Sequence, residues 1–255
     1  MSYKDITVYA LVTAGAERNA LRTGKDEGRY YEPGTINLLL LTNMKLTFRA
    51  MTRAVITATE AKIAALQDLD VRSFQIGRVH QATGTGTDNI IVVQGTGKEI
   101  DICGEHSKMG ELIAGAVYAG VQGALKKQNA LVLQRSIFRR LEERKISLFG
   151  LVSRGTCADS RKRGDLCARL ESLLLIPRYA SFISSALSLS DDHERGLLRD
   201  LSPYKLWCDA ISQEIAGQDI LVMQNLVNLK NGPVVIKMAF NALLNGLYVR
   251  EQQIP

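Results

Sequence analysis

The hydrophobic pattern of this 255-residue chain changes period near residue 134, and that change restricts the fold more than any other feature. Before it, short apolar runs of strand character alternate with long segments whose apolar residues recur every three to four positions. After it only the helical period persists. Alternating strands and helices bury their faces in layers, whereas helices alone must pack on one another. The expected fold class is therefore α/β: a layered α/β N-terminal domain over residues 1–134, then a mostly α-helical C-terminal extension over residues 135–255.

Within the first part, Ile6 to Val12 reads as a strand ending in Thr13-Ala14-Gly15. Thr35 to Leu41 is a nearly continuous apolar run after Pro33-Gly34, the pattern of a buried strand. A helix is predicted from Thr47 to about Leu69, with Met51, Val55, Ala58, Ala61, Ala65, Leu66 and Leu69 on its apolar face. Asn89 to Val93 is a further strand, and a helix follows His106 with Ser107 as N-cap. In the second part, helical spacing covers Ile137 to Glu143, Asp165 to Leu175, Tyr179 to Leu187, Tyr204 to Ile215 and Val234 to Val249. Ser202-Pro203 reads as an N-cap followed by proline at the first helical position.

The net charge is +6, yet no run of five like charges occurs, and the densest basic stretch is Arg161-Lys162-Arg163. That is too short for a nucleic-acid arm, and the basic surplus leans toward the C-terminal part, so nucleic-acid binding is not expected. The four cysteines, Cys103, Cys157, Cys167 and Cys208, form no Cys-x-x-Cys pair and give no metal site. The N-terminus is polar, and no stretch approaches the ~18–20 apolar residues of a membrane span. A cytoplasmic protein with free thiols, no membrane partner and no resident cofactor is the expectation.

Two polar turns stand out. Ala82-Thr83-Gly84-Thr85-Gly86-Thr87-Asp88-Asn89 runs into Ile90-Ile91-Val92-Val93. Its small residues offer N–H groups and hydroxyls to an oxyanion, although glycine equally serves a tight turn between strands. It matches neither the P-loop nor the dinucleotide fingerprint. The second turn, Gly104-Glu105-His106-Ser107-Lys108, opens a helix, where the dipole favours an uncharged imidazole able to act as a base or polarise a carbonyl. Together the turns read as two walls of one site. Thr35 either simply starts its strand or exposes a nucleophilic hydroxyl, which would need a base or an α-amino group to activate it. Glu60 and Lys62 form either a solvated helix face or a buried pair pointing into a cleft.

Several of these strings carry a resemblance. Val12-Thr13-Ala14-Gly15, Asn19-Ala20-Leu21-Arg22, Pro33-Gly34-Thr35-Ile36-Asn37, Ala54 to Lys62, Ala82 to Asp88 and His106 to Ile113 resemble, in this order, the adenosylcobinamide amidohydrolase family over roughly residues 5 to 130. The resemblance implies hydrolysis of the amide joining the aminopropanol arm to the corrin ring of adenosylcobinamide, giving adenosylcobyric acid. The cobalt would arrive with the substrate, and a homo-oligomer is left open. Amide hydrolysis needs a nucleophile or activated water, oxyanion donors and a proton donor for the leaving amine.

The implied catalytic residues are His106, Thr35, Glu60, Asp88 and Lys108. Asn19, Asn37, Lys62, Thr83, Gly84, Thr85, Gly86, Thr87, Ser107 and Glu111 would contact the substrate. Asn43, Asn89 and Gln94 are further candidates by type for a ring rimmed with amides. Glu105 departs from the family pattern, which has a second glycine there. A shorter likeness around Gly34-Thr35-Ile36 and Ala58-Thr59-Glu60-Ala61 is similar to the L-aminopeptidase/D-esterase and ornithine acetyltransferase group, and implies cleavage before Thr35 to free an N-terminal nucleophile. Two other readings remain: a corrinoid carrier with His106 ligating cobalt, and a scaffold whose helical part binds a partner.

Overall fold

The computed structural model describes residues 1–28, 34–75, 80–152, 160–227 and 232–252. Pro33 and Cys157 lie outside the described residues. The chain divides into two compact units, Met1–Arg135 and Ser136–Pro255.

The first unit is α/β. In chain order its elements are β1 (Ser2–Tyr3), β2 (Ile6–Ala14), β3 (Ala20–Leu21), β4 (Ile36–Thr42) and β5 (Lys45–Leu46). Then come α1 (Phe48–Asp68), β6 (Gly84–Thr85), β7 (Asn89–Val93), β8 (Glu99–Ile100) and α2 (Lys108–Asn129). The main sheet has the order β1-β2-β4-β7, with β2 antiparallel to β4 and β4 parallel to β7. Two short pairs, β3–β6 and β5–β8, flank it.

Strand parity decides which side is buried. Val8, Ile36, Leu38 and Leu40 point into the core, where Ile90 and Val92 also pack. α1 and α2 cover that side. The odd-numbered positions point the other way, and here the sequence reading needs correction. The apolar run from Thr35 to Leu41 has the pattern of a strand buried on both sides, yet Leu39 and Leu41 are only half buried and Tyr9, Leu11 and Ile91 are exposed, so among the described residues one face of the sheet is uncovered.

α1 lies close to the sheet because its buried face is built from Ala50, Ala54, Ala58, Ala61 and Ala65, whose single methyl groups let backbones approach. Val55, expected on that face, is exposed instead. Thr47 caps the helix by accepting from Ala50 N at 3.2 Å. Ser107 caps α2 in the same way, accepting from Gly110 N at 3.0 Å.

The second unit is helical: α3 (Ile137–Glu143), α4 (Leu148–Val152), α5 (Ser160–Leu174), α6 (Pro177–Glu194), α7 (Ser202–Ala216) and α8 (Val234–Glu251). α8 is its inner helix, apolar on most sides and packed against α5, α6 and α7. Gly246 allows α7 this close, since a Cβ there would stand 2.6 Å from Ile215 Cβ. Phe182, Tyr204 and Trp207 stack edge and face beside them. Ser202 is the first residue of α7 rather than its cap, which is Leu201 without a side-chain bond. Among the described residues, no single helix is long and apolar enough to cross a membrane.

Candidate active site

Three strand ends meet where β2 finishes and β4 and β7 begin. Ala14 pairs with Ile36, and Asn37 pairs with Asn89. Gly15 N donates to Thr35 O at 2.9 Å, which places Thr35 as the residue leading into β4. By parity Thr35 falls on the same side as Asn37 and Leu39, the uncovered side. Its hydroxyl donates to Thr87 O at 2.7 Å.

The carbonyl just before Thr35 is held from two directions. Thr87 Oγ1 donates to Gly34 O at 3.0 Å, and Asn19 Nδ2 donates to the same oxygen at close range. Asn19 is only 5 % exposed, and its Oδ1 has no partner. Gly34 is required by this arrangement: a Cβ there would come within 2.6 Å of Asn19 Oδ1 and 2.7 Å of Gly15 O.

Behind the strands, on the helix side, Asp88 meets Lys62 of α1 at 2.5 Å, with side chains 13 % and 8 % exposed. The carboxylate is fully engaged. Oδ1 accepts from Ile36 N and Thr85 N, each at 3.1 Å, and from Thr85 Oγ1 at 2.6 Å, while Oδ2 accepts from Lys62 and Thr85 N. Gly84 packs against the pair, a Cβ there standing 2.9 Å from Lys62 Nζ. Lys62 therefore belongs to a buried pair, but with Asp88 as its partner; Glu60 is exposed on α1.

The threonine-glycine turn differs from an open nest of donors. Thr83 N donates to Leu21 O at 2.8 Å, Thr85 N donates to Asp88, and Gly84–Thr85 is strand β6 paired with β3. Asp88 curls back on its own turn and takes donors that an oxyanion would need, as aspartate side chains do in turns. Thr83 Oγ1 is occupied with Thr23. Gly86 packs beside Leu21, where a Cβ would lie 3.4 Å from its Cδ1. Thr87 is the turn residue that reaches the Thr35 end.

The two polar turns do not form walls of one site. α2 ends at Asn129, whose Oδ1 accepts from Ala16 N at 3.3 Å beside the Thr35 end. Its 22 residues span ~33 Å, so the opposite terminus is remote. There Lys108 stands 4.8 Å from the Tyr3 ring centre and pairs with Glu111, while Tyr3 pairs with Ile6 at the far end of β2. Ile6 to Ala14 covers ~26 Å at ~3.3 Å per residue. His106 is exposed, and Ser107 caps the helix. Among the described residues no hydrogen bond or ion pair joins this group to Thr35 or Asp88. Asn43 and Gln94 are also remote, accepting from Thr7 N at 2.8 Å and Leu46 N at 2.6 Å.

Thr13 was not singled out by type, yet it shares a row with Asn37 and Asn89. Asn37 Nδ2 reaches Thr13 Oγ1 at 3.4 Å, and Asn89 Nδ2 reaches Asn37 Oδ1 at 3.5 Å and Thr87 O at 3.0 Å. Odd parity along Thr13, Asn37 and Asn89 was the available signal. Among the described residues, no three His, Cys, Asp or Glu side chains gather as a metal site.

The first unit is thus a layered α/β fold with hydroxyls and amides gathered at one end of its sheet. The chain belongs to the adenosylcobinamide amidohydrolase family, whose profile matches residues 1–132. It is 45 % identical over 147 residues to an uncharacterized protein of Methanocaldococcus jannaschii, covering 51 % of this chain and 57 % of that one. It is 32 % identical over 103 residues to a Methanosarcina mazei protein named adenosylcobinamide amidohydrolase, covering 36 % of this chain and 47 % of that one. The chain thus spans about half the length of these curated relatives. No solved structure matches it.

Proposed function

We propose that the first unit hydrolyses the amide between the aminopropanol arm and the corrin ring of adenosylcobinamide, releasing adenosylcobyric acid, with Thr35 as nucleophile. The observation that carries this reading is the Gly34 carbonyl, polarised by Asn19 Nδ2 and Thr87 Oγ1 immediately before a hydroxyl on the open face. A carbonyl held by two donors is prepared for negative charge on its oxygen.

In this route Thr35 Oγ1 adds to the Gly34 carbonyl carbon, and the peptide nitrogen departs as the α-amino group of Thr35. Water then hydrolyses the resulting ester, leaving Gly34 with a carboxylate and Thr35 at a new N-terminus. That amine, with an ordinary pKa of ~7.7–8.0, can take the hydroxyl proton in later turnovers. Once Gly34 withdraws, Asn19 Nδ2 and Thr87 Oγ1 are available to the substrate amide oxygen. The Thr35 hydroxyl attacks the amide carbon, and the ammonium returns a proton to the departing aminopropanol nitrogen. Water completes the cycle. Lys62 and Asp88 hold the turn that carries Thr87, and His106, Glu60, Lys108 and Glu111 stand outside the reacting centre.

The test is mass spectrometry of adenosylcobinamide incubated with the purified chain and with Thr35→Ala, together with the intact mass of the protein. The reading predicts product from the natural chain, none from Thr35→Ala, and a chain cut between Gly34 and Thr35. Undiminished product from Thr35→Ala would overturn the nucleophile. A corrinoid spectral shift without product would instead favour a carrier.

A further inference from the structure

The uncovered sheet face presents nine side chains in three registered rows: Tyr9–Leu41–Val93, Leu11–Leu39–Ile91 and Thr13–Asn37–Asn89. Two rows are apolar and the third carries two carboxamides and a hydroxyl. None is charged. Leu11 and Ile91, at the centre, are 58 % and 59 % exposed. Large aliphatic side chains in adjoining exposed positions mark a surface that something covers. A cavity of about 660 Å³ runs from this face round the β2 edge to α2, lined by Leu11, Thr13, Asn37, Leu39, Asn89 and Ile91 of the face and by Gly120, Gly123 and Lys127 of the helix, among others. That volume falls in the range of small-molecule sites.

We infer that this face seats the flat ring of the corrinoid, with its apolar rows under the macrocycle and its amide row against the ring's amide rim. The inference rests on the proposed amidohydrolase reading and adds where the bulk of the substrate sits. Size supports it: three strands at ~4.8 Å spacing and four residues at ~3.3 Å give a platform of ~10 by ~13 Å between Cα atoms. Charge supports it, because an uncharged floor suits a ring rimmed with neutral amides.

Continuity supports it most directly. The amide row adjoins the reacting end, since Asn89 Nδ2 and Thr35 Oγ1 both donate to Thr87 O. The bonds within the row, at 3.4 and 3.5 Å, are long enough to exchange readily for bonds to a ligand. A ring lying here brings its own arm toward Thr35. A second copy of the chain pressed on the same nine side chains would instead close off the Thr35 end.

The test uses full-length Ile91→Glu and Leu11→Glu, with circular dichroism and thermal melting to confirm folding. Ile91→Thr replaces the first should it fail to fold. KM for adenosylcobinamide should rise about tenfold or more in the glutamate variants, equivalent to ~1.4 kcal/mol of binding, and severalfold in Ile91→Thr. The kcat at saturation should stay within about twofold, because the reacting end is untouched. Unchanged KM alongside wild-type hydrolysis overturns the face while leaving the amidohydrolase intact. If the natural chain hydrolyses nothing, the amidohydrolase reading fails, and equilibrium dialysis of adenosylcobinamide decides the face separately. Retention by wild type and loss from Ile91→Glu supports it; equal retention, or none by either, overturns it. Sedimentation showing a wild-type dimer that Ile91→Glu separates, with KM unchanged, assigns the face to a second copy and also overturns it.

Discussion

Replacing Asp88 by asparagine isolates the interaction that holds the proposed centre in place. Lys62 and Asp88 sit at 2.5 Å on the helix side of the sheet, each largely shielded from water. Removing one charge leaves the other buried without a counter-ion, which costs ~3–5 kcal/mol. The carboxamide is nearly the same size, so no cavity contributes. However, it substitutes an NH₂ donor for an oxygen that now receives donors, setting donor against donor at Lys62 or at the Ile36 and Thr85 amides.

The chain's single tryptophan, Trp207, lies in the second unit and reports on the wrong part of the molecule. Hydrogen exchange at the Ile36 and Thr85 amides is the direct assay, because both donate to this carboxylate. Asp88→Asn should lower their protection at least a hundredfold, ~2.7 kcal/mol, and reduce turnover by loosening Thr87 from Thr35. Adding Lys62→Met should recover at least half of the lost protection, since an apolar side chain needs no partner. Protection within ~0.5 kcal/mol of the natural chain in Asp88→Asn would mean that the Lys62–Asp88 pair does not hold this end of the sheet.

Other consequences can be checked independently. Gly34→Ala should reduce product formation more than tenfold with the circular dichroism retained, because its Cβ runs into the Gly15 carbonyl and pushes Asn19 off the polarised Gly34 carbonyl. Gly110→Ala should lower the melting temperature, its Cβ overlapping the Gly104 carbonyl, whereas Gly123→Ala meets nothing within 4 Å and should add ~0.5–1 kcal/mol through helix propensity. Burial pushes the Cys103 thiol up to about 11 and the Cys208 thiol up to about 12, from an ordinary 9.0. The fold therefore favours the protonated thiols; their contribution is intact below pH 9 and is lost as the pH rises through 11 and 12, so melting scans should show a fall that is shallower in Cys208→Ala.

Much of the architecture was legible because strand and helix periods are local properties. Asn89 to Val93 and the cap at Ser107 needed only neighbouring residues, and both stand as read. Of the face expected for α1, Ala58, Ala61, Ala65, Leu66 and Leu69 are buried as read; Val55 alone was misplaced, because a helix rich in alanine carries little pattern and which methyl groups turn inward depends on packing with α2 and β7. The Lys62–Asp88 pair was hidden for a different reason. Its partners are 26 positions apart, and Glu60, two residues away, offered a nearer but incorrect partner. Proximity in sequence also placed His106 beside the threonine-glycine turn. The 22-residue run of α2 back across the sheet puts its C-terminus, rather than its N-terminus, near Thr35. The uncovered face was readable in principle from odd-position parity, but the apolar run from Leu38 to Leu41 masked it.

The measurement closest to the central claim compares two single variants on one substrate. Adenosylcobinamide incubated with Thr35→Ala and with His106→Ala, and followed by mass spectrometry for loss of the aminopropanol arm, separates the two ends of the sheet. No product is expected from Thr35→Ala, and product within about threefold of the natural chain from His106→Ala, because the histidine lies at the remote terminus of α2. Product from Thr35→Ala together with its loss in His106→Ala would contradict the account and move the chemistry to the other end of the molecule.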